Sequence, residues 1–345
     1  MLKKTNIKEF HYMKAISAIG IIIYHYSCRL RNRDFLPLYT FKNGSWGGVF
    51  VTIFFMVSGA LLYYNYEDRF NLKKFYIKRW ISIFPMFYVA YLSFWIGNVI
   101  ESGSVFYKGA KWTYALSILG MDGYLYENTT TYYILGEWFL GAIILLYAVF
   151  PLILIVFKKK PIITFMGFMI LYVVFYGVPI INPHASRSIV SCLLSFVCGM
   201  LLIRYKDIVV NKCVFLLSIF CCIVLLCVKI GISEELGFKL MGLALYCLIF
   251  KMCGYIKAGS VCDKVVLEVS KNSYAIFLLQ HITILKIVNA WNPTKVFNIF
   301  VLLFITIILI VCEAKILTFV TNGFVREVKH RYLEMKDRLF KRNEK

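Results

Sequence analysis

The chain has 345 residues, of which 60% are hydrophobic and 17% charged, and its mean hydropathy is +0.73. A soluble domain is nearer about 45–50% apolar, so this composition excludes a disordered chain, a collagen, a coiled coil and a soluble enzyme and leaves a polytopic membrane protein. The net charge of +21, from 39 basic and 18 acidic residues, sits in short runs between apolar stretches rather than in a basic stripe, which points to membrane topology and away from nucleic acid.

A spanning helix needs about 20 mostly apolar residues. Ten segments qualify in chain order: 10–28, 46–65, 80–100, 133–157, 162–181, 187–204, 212–230, 236–254, 272–291 and 297–320. Lys3, Lys4 and Lys8 before the first run resemble a signal peptide, but no A-x-A cleavage site follows and Lys14 interrupts the run, so an uncleaved first span is expected. With the N-terminus inside, 26 Lys and Arg fall in segments placed inside and 11 in those placed outside. This bias predicts an even number of spans with both termini cytoplasmic. The expected fold is therefore all-α, a polytopic membrane bundle of about ten transmembrane helices over residues 1–320. Residues 321–345, with Val325, Val328, Tyr332, Met335 and Leu339 three or four apart, are expected to form a basic amphipathic cytoplasmic tail on an anionic leaflet.

The eleven cysteines form no framework: most lie within apolar stretches and no C-x-x-C occurs. Clustered Cys/His ligands are absent from the sequence, so no metal is expected. The longest outer loop, 101–132, carries Tyr107, Trp112, Tyr114, Tyr124 and Tyr126. Such aromatics suit the membrane interface belt and equally a carbohydrate surface.

Polar groups at membrane depth mark candidate sites. Lys14 and His25 are eleven residues apart in the first segment, which is within about 20° of three full helical turns and about 16 Å along the axis. They share a face with Ser17, Ala18 and Ile21 between them, two of which are small and leave room for an extended ligand. Lys14 also suits simple snorkelling and His25 a plain interface position. Further on stand Phe54-Phe55-Met56-Val57-Ser58-Gly59, then Lys78-Arg79 with Pro85, then Glu137-Trp138 with Tyr147 and Pro151. The last is Ser273-Tyr274 through Gln280-His281.

In this order, these pieces resemble the membrane acyltransferase-3 family of ten-helix O-acyltransferases, over nearly the whole chain. The family pairs an Arg with a His across ten intervening residues in its first helix; here Lys14 and His25 keep that spacing. Its F-F-x-x-S-G matches Phe54, Phe55, Ser58 and Gly59, its basic run ending in proline matches Arg79 and Pro85, and its W…Y…P helix matches Trp138, Tyr147 and Pro151. Its late Ser-Tyr…His segment looks like 273–281. The departures are chemical. Lys14 makes a point charge of a bidentate clamp. Ser82 stands where many members have a second Arg, and Ile143 and Ile144 where some carry Glu. Gln280 aligns with the common His, which moves His281 to another helix face.

The resemblance implies an O-acyltransferase, of O-acetyl type, that moves an acyl group from cytoplasmic acetyl-CoA or another acyl-CoA to a hydroxyl of a surface or exported glycan. His25 is then the catalytic base, or the carrier of a covalent acyl-imidazole. Lys14, Lys78, Arg79 and Ser58 are expected to hold the donor, with Lys73 and Lys74 on the same rim. Glu137, Trp138 and His281 are expected to hold the acceptor. The expected partners are membrane lipid and a glycan or lipid-linked sugar, with self-association left open, in a multi-pass cell-membrane protein of a bacterium. The alternative is a non-catalytic exporter or flippase of a polysaccharide or lipid-linked sugar.

Overall fold

The computed structural model describes residues 7–30, 39–257, 259–291, 293 and 295–343, with the backbone alone for Glu137 and for 332–343. In chain order the helices are α1 (Lys8–Arg29), α2 (Trp46–Tyr66), α3 (Leu72–Ser102), α4 (Tyr114–Ile118), α5 (Asp122–Leu125), α6 (Glu137–Lys159), α7 (Pro161–Val174), α8 (Ile189–Arg204), α9 (Lys206–Val209), α10 (Lys212–Cys227), α11 (Glu234–Met252), α12 (Val261–Lys271), α13 (Ser273–Trp291) and α14 (Val296–Asn343). The protein is nearly all-α, at 80% helix. Thr40–Phe41 and Gly44–Ser45 form a short antiparallel hairpin before α2.

A helix lies beneath each of the ten predicted segments. Among the described residues, six are long and apolar enough to cross a membrane: α2, α3, α6, α11, α13 and the first part of α14. α7, α8 and α10 are apolar but shorter, and α1 carries Lys14 in its middle. Several bounds differ from the sequence pattern for local reasons. α3 starts at Leu72 because Asn71 caps it, its side chain accepting the Lys74 N–H at 2.9 Å, so the basic run Lys73 to Arg79 is helical. α7 stops at Val174, ahead of Gly177 at φ +76° and Pro179. α12 fills a stretch expected to be a loop: Ser260 accepts the Asp263 N–H at 3.2 Å and starts an amphipathic turn pattern. Residues 321–343 of the expected tail continue α14 without a break, and 344–345 lie outside the described residues.

α2 is the most enclosed of the spans, with α3 and α14 on the outside. α2 packs most extensively on α8 and α1, and α1 in turn on α12 and α13. The α2–α8 contact is so close that each helix supplies a glycine against the other's backbone: a Cβ on Gly59 would overlap the Phe196 carbonyl, and one on Gly199 the Met56 carbonyl. Close approach through small residues is how membrane helices gain packing energy without a hydrophobic drive. Gly199→Ala is expected to push these helices apart and lower the melting temperature in detergent by several degrees, read by the fluorescence of the native cysteines with a thiol-reactive dye. An unchanged melting temperature would contradict the contact.

Glu313 and Lys315 of α14, adjacent in charge, face different partners. Glu313 accepts the Thr283 hydroxyl at 2.6 Å, and Lys315 lies 3.4 Å from Glu268. Asn43, in the hairpin turn, is buried and donates to the carbonyls of Leu225 and Val228 while accepting the Ile230 N–H at 3.0 Å. It fastens the entry of α2 to the α10–α11 connection.

The connection 103–136 between α3 and α6 folds on its own aromatic core rather than hanging free. Tyr114 and Tyr132 stack at 3.7 Å, and the Tyr91 hydroxyl donates to the Tyr132 carbonyl at 2.7 Å. Tyr124 is fully buried, whereas Trp112 is 62% exposed. Asp122 is buried here, with one carboxyl oxygen accepting the Gly123 N–H at 2.9 Å and the other without a hydrogen-bond partner among the described residues. Burial pushes its carboxyl up to about 7. The folded protein therefore holds a proton that the unfolded chain has lost above about pH 4, so stability falls as pH rises from about 4 to 7 and levels off above. Asp122→Asn is expected to flatten this slope and raise the melting temperature at pH 7.5, with little change at pH 4. A parallel pH–melting curve for wild type and variant would refute it.

Candidate active site

α1 carries Lys14 and His25 on one side of the bundle interior, and each opens into a separate chamber. The His25 chamber has a volume of about 390 Å³ and takes its walls from α1, α2, α6, α8, α11 and α13. The His25 and His281 rings meet there with centroids 4.0 Å apart and planes inclined at 56°. The displacement of His281 by one position along α13 thus does not take it off the site; the crossing of α13 over α1 brings it against His25. Gln280, at the position aligned with the family His, is instead buried.

Trp138 and Phe139 enter the chamber because α6 begins just after Gly136, whose φ of +90° turns the loop into the helix. Glu137 opens α6, and its side chain lies outside the described residues. Trp138 packs on Phe55 and lies beneath the Arg187 guanidinium, 5.6 Å from the ring centroid. The loop tyrosines Tyr126 and Tyr133 stack at 5.3 Å on the same wall. The loop aromatics therefore divide: Tyr124 and Tyr132 are core, and Tyr126 faces the chamber.

Three cations line this chamber: Arg29, Arg187 and Lys239. Two have carboxylates behind them. Arg187 lies 3.1 Å from Glu127, which also lies 2.7 Å from His184. Burial acts upward on the Glu127 carboxyl, but the Tyr126 hydroxyl, His184 and Arg187 together hold it below the usual range. Lys239 of α11 lies 3.7 Å from Glu235 and donates to the Ser191 carbonyl at 3.0 Å and the Ser195 hydroxyl at 3.2 Å, and Glu235 accepts the Ser191 hydroxyl at 2.6 Å. Lys239 and Glu235 were not expected as site residues. The signal was present, since an acid and a base four residues apart in an apolar helix face one another. Arg187 had no such signal, because only the folded loop carries it over Trp138.

The second chamber has a volume of about 460 Å³ and holds Lys14. Its ammonium has no hydrogen-bond or ion-pair partner among the described residues. Lys271, at the end of α12, and His11 line the same space, and among the described residues no carboxylate does so. His11 Nδ1 lies 2.9 Å from the Ser270 hydroxyl. Ser58 lies here too, its hydroxyl 3.2 Å from that of Tyr147, together with Ser82. Lys271 escaped notice because α12, which places it, has no apolar run to announce it.

Lys73, Lys74 and Lys78 are exposed on α3 and line neither chamber. Arg79 opens on a separate apolar groove of about 560 Å³ on the side of α3 and α6, its guanidinium 5.6 Å from the Tyr147 ring centroid. Tyr147 and Ile83 line both that groove and the Lys14 chamber. Of the residues expected to border a channel along α1, the small Ser17 and Ala18 are buried and line neither chamber, and Ile21 lines only the His25 chamber. They serve packing on the neighbouring helices, so the face between Lys14 and His25 is covered.

Fold and site together define a multi-pass membrane protein with two chambers meeting inside a helical bundle. The chain belongs to the acyltransferase-3 family: the family model described as an acyltransferase domain matches residues 7–314. No curated protein and no solved structure matches it.

Proposed function

We propose that the protein is an integral-membrane O-acyltransferase of O-acetyl type, which takes the acyl group of a cytoplasmic acyl-CoA and delivers it to a hydroxyl of a surface or exported glycan at the bacterial plasma membrane. The observation that carries this is the division of labour along α1. At one end the Lys14 ammonium, without a hydrogen-bond or ion-pair partner among the described residues, opens into a chamber that holds a second lysine and, among those residues, no acid. At the other a paired imidazole opens into a chamber walled by aromatics and cations. The Lys14 chamber suits the phosphates and the apolar arm of an acyl-CoA. The His25 chamber suits a sugar, with Trp138 and Tyr126 offering flat faces and the serines and arginines offering polar contacts.

In the reaction, His25 removes the proton of the acceptor hydroxyl as its oxygen attacks the thioester carbon. The C–S bond then breaks, and the CoA thiolate leaves with the proton returned from the imidazolium. In the covalent route a ring nitrogen attacks the thioester carbon, the C–S bond breaks and CoA leaves as the thiol with the ring proton; the acceptor hydroxyl then attacks the acyl-imidazole, the C–N bond breaks and the hydroxyl proton returns to the ring. His281, against His25, is positioned to orient that ring or to pass its proton on. An exporter would need a path wide enough for a glycan, and here the chambers narrow to a contact between aromatic rings.

The test is donor binding and CoA release by purified protein in lipid nanodiscs with acetyl-CoA. Lys14→Ala is expected to weaken acetyl-CoA binding by about 10-fold, as for loss of one charge-assisted contact, with the melting temperature retained. Wild-type affinity in the variant would remove Lys14 from the donor site. Neither binding nor CoA release by the wild type would refute acyl transfer.

A further inference from the structure

The Lys14 and His25 chambers have two lining residues in common, Phe139 of α6 and Phe277 of α13. Their rings meet edge to face, centroids 5.1 Å apart and planes at 63°. Phe55 of α2 also packs on Phe139, ring centroids 4.8 Å apart. Phe277 lies four residues before His281 on α13, so the ring contact sits one helical turn, about 6 Å, from the imidazole pair on the same face. The partition is thus at the threshold of the reacting centre, and it is made of two side chains from two different helices.

We propose that Phe139 and Phe277 form the aperture through which the acyl end of the donor reaches His25, and that their contact sets the girth of the acyl group accepted. The proposal rests on acyl transfer between the chambers. Rings in van der Waals contact leave no passage, so the arm enters only as they swing apart about their side-chain torsions. A slim, unbranched acyl thioester needs the smallest swing; a branched or aromatic acyl group must force the rings into Phe55 and the bundle behind it, at the cost of overpacking. Closed, the same contact keeps water and ions from crossing between the two chambers. Aromatic rings suit both tasks, being bulky and apolar with only two torsions to adjust. Chain length discriminates less than girth, since a longer linear chain presents the same cross-section to the aperture.

The test uses the full-length protein in nanodiscs, with CoA release measured by a thiol reagent for acetyl-, isobutyryl- and benzoyl-CoA. Wild type is expected to prefer acetyl-CoA. Phe139→Ala and Phe277→Ala are each expected to raise the isobutyryl-to-acetyl ratio of kcat/KM by about 10-fold or more, the scale on which apolar contacts discriminate added methyl groups. Phe277→Trp is expected to slow release from all three donors while leaving acetyl-CoA binding intact. Where an alanine variant does not fold, Phe139→Leu and Phe277→Leu are read instead and are expected to shift the ratio in the same direction. A wild type that releases CoA, with variants whose ratios stay within about twofold of it, overturns the aperture and leaves acyl transfer standing. A wild type that releases none overturns both.

Discussion

Replacing His25 with alanine is expected to slow CoA release and acyl delivery by about 10² to 10⁴-fold, the usual contribution of a general base, without unfolding the protein. The ring borders a chamber rather than filling the core, so its loss leaves the packing of α1 on α2 and α13 in place. Acetyl-CoA affinity is expected to hold, because the donor's charged end is assigned to Lys14 and Lys271 on the other side of the Phe139–Phe277 contact. The measurement is kcat and donor Kd on the same preparation, with a melting curve as control. Radiolabelled acetyl-CoA separates the two chemical routes: protein-bound, hydroxylamine-labile label present in wild type and absent in His25→Ala is the result of an acyl-imidazole, and its absence from both is the result of direct transfer. Activity within a few-fold of wild type in the variant would remove His25 from the chemistry.

The second large effect is on stability. Lys239→Met is expected to destabilise the protein by about 3–5 kcal/mol, the scale for stripping a buried charge of its partner. Glu235 would be left about nine-tenths buried with the Ser191 hydroxyl but no cation to answer it among the described residues. Lys239→Met combined with Glu235→Gln is expected to recover most of the loss, since no uncompensated charge then remains. Thermal melting in one detergent, for the two single variants and the pair, gives the coupling directly. Additive losses in the double variant would mean that the two side chains do not act as a pair. Because Lys239 also lines the His25 chamber, the double variant separates its two tasks: restored melting with reduced transfer assigns the ammonium to the acceptor.

Helix positions were legible because a membrane leaves the backbone few choices. Each unpaired N–H or C=O in hydrocarbon is so costly that an apolar run of sufficient length folds as a helix whatever its neighbours do. This is why all ten apolar segments have helices beneath them, and why the errors fall at ends governed by caps and turns, such as Asn71 and Gly177, or in α12, which is short and half polar. The number of described helices that reach a membrane-crossing length and apolarity on their own is six, fewer than the ten apolar runs suggest, because α7, α8 and α10 are trimmed by their loops and α1 carries Lys8, Glu9, Lys14 and Arg29.

The candidate site divides in the same way. Lys14 and His25 could be placed on one face from helical geometry alone, because both lie on one continuous element. Which partners meet them depends on how α1 crosses α13, α12 and α6, and no spacing along the chain encodes a crossing. Hence Lys78 looked like part of a donor rim and lies exposed on α3, and His281, one position out of register, proves to lie against His25. Lys271, Arg187 and Phe277 came into view only in three dimensions.

By itself, then, the amino-acid order determined the class of the protein, its helices and the two groups on α1, since each follows from local rules of hydropathy, hydrogen bonding and a 3.6-residue turn. Tertiary structure alone decided that Lys14 and His25 occupy different chambers and that two phenylalanines stand between them. Contacts between helices are set by side-chain shape across pairs of segments far apart in the chain, and that complementarity has no one-dimensional signature.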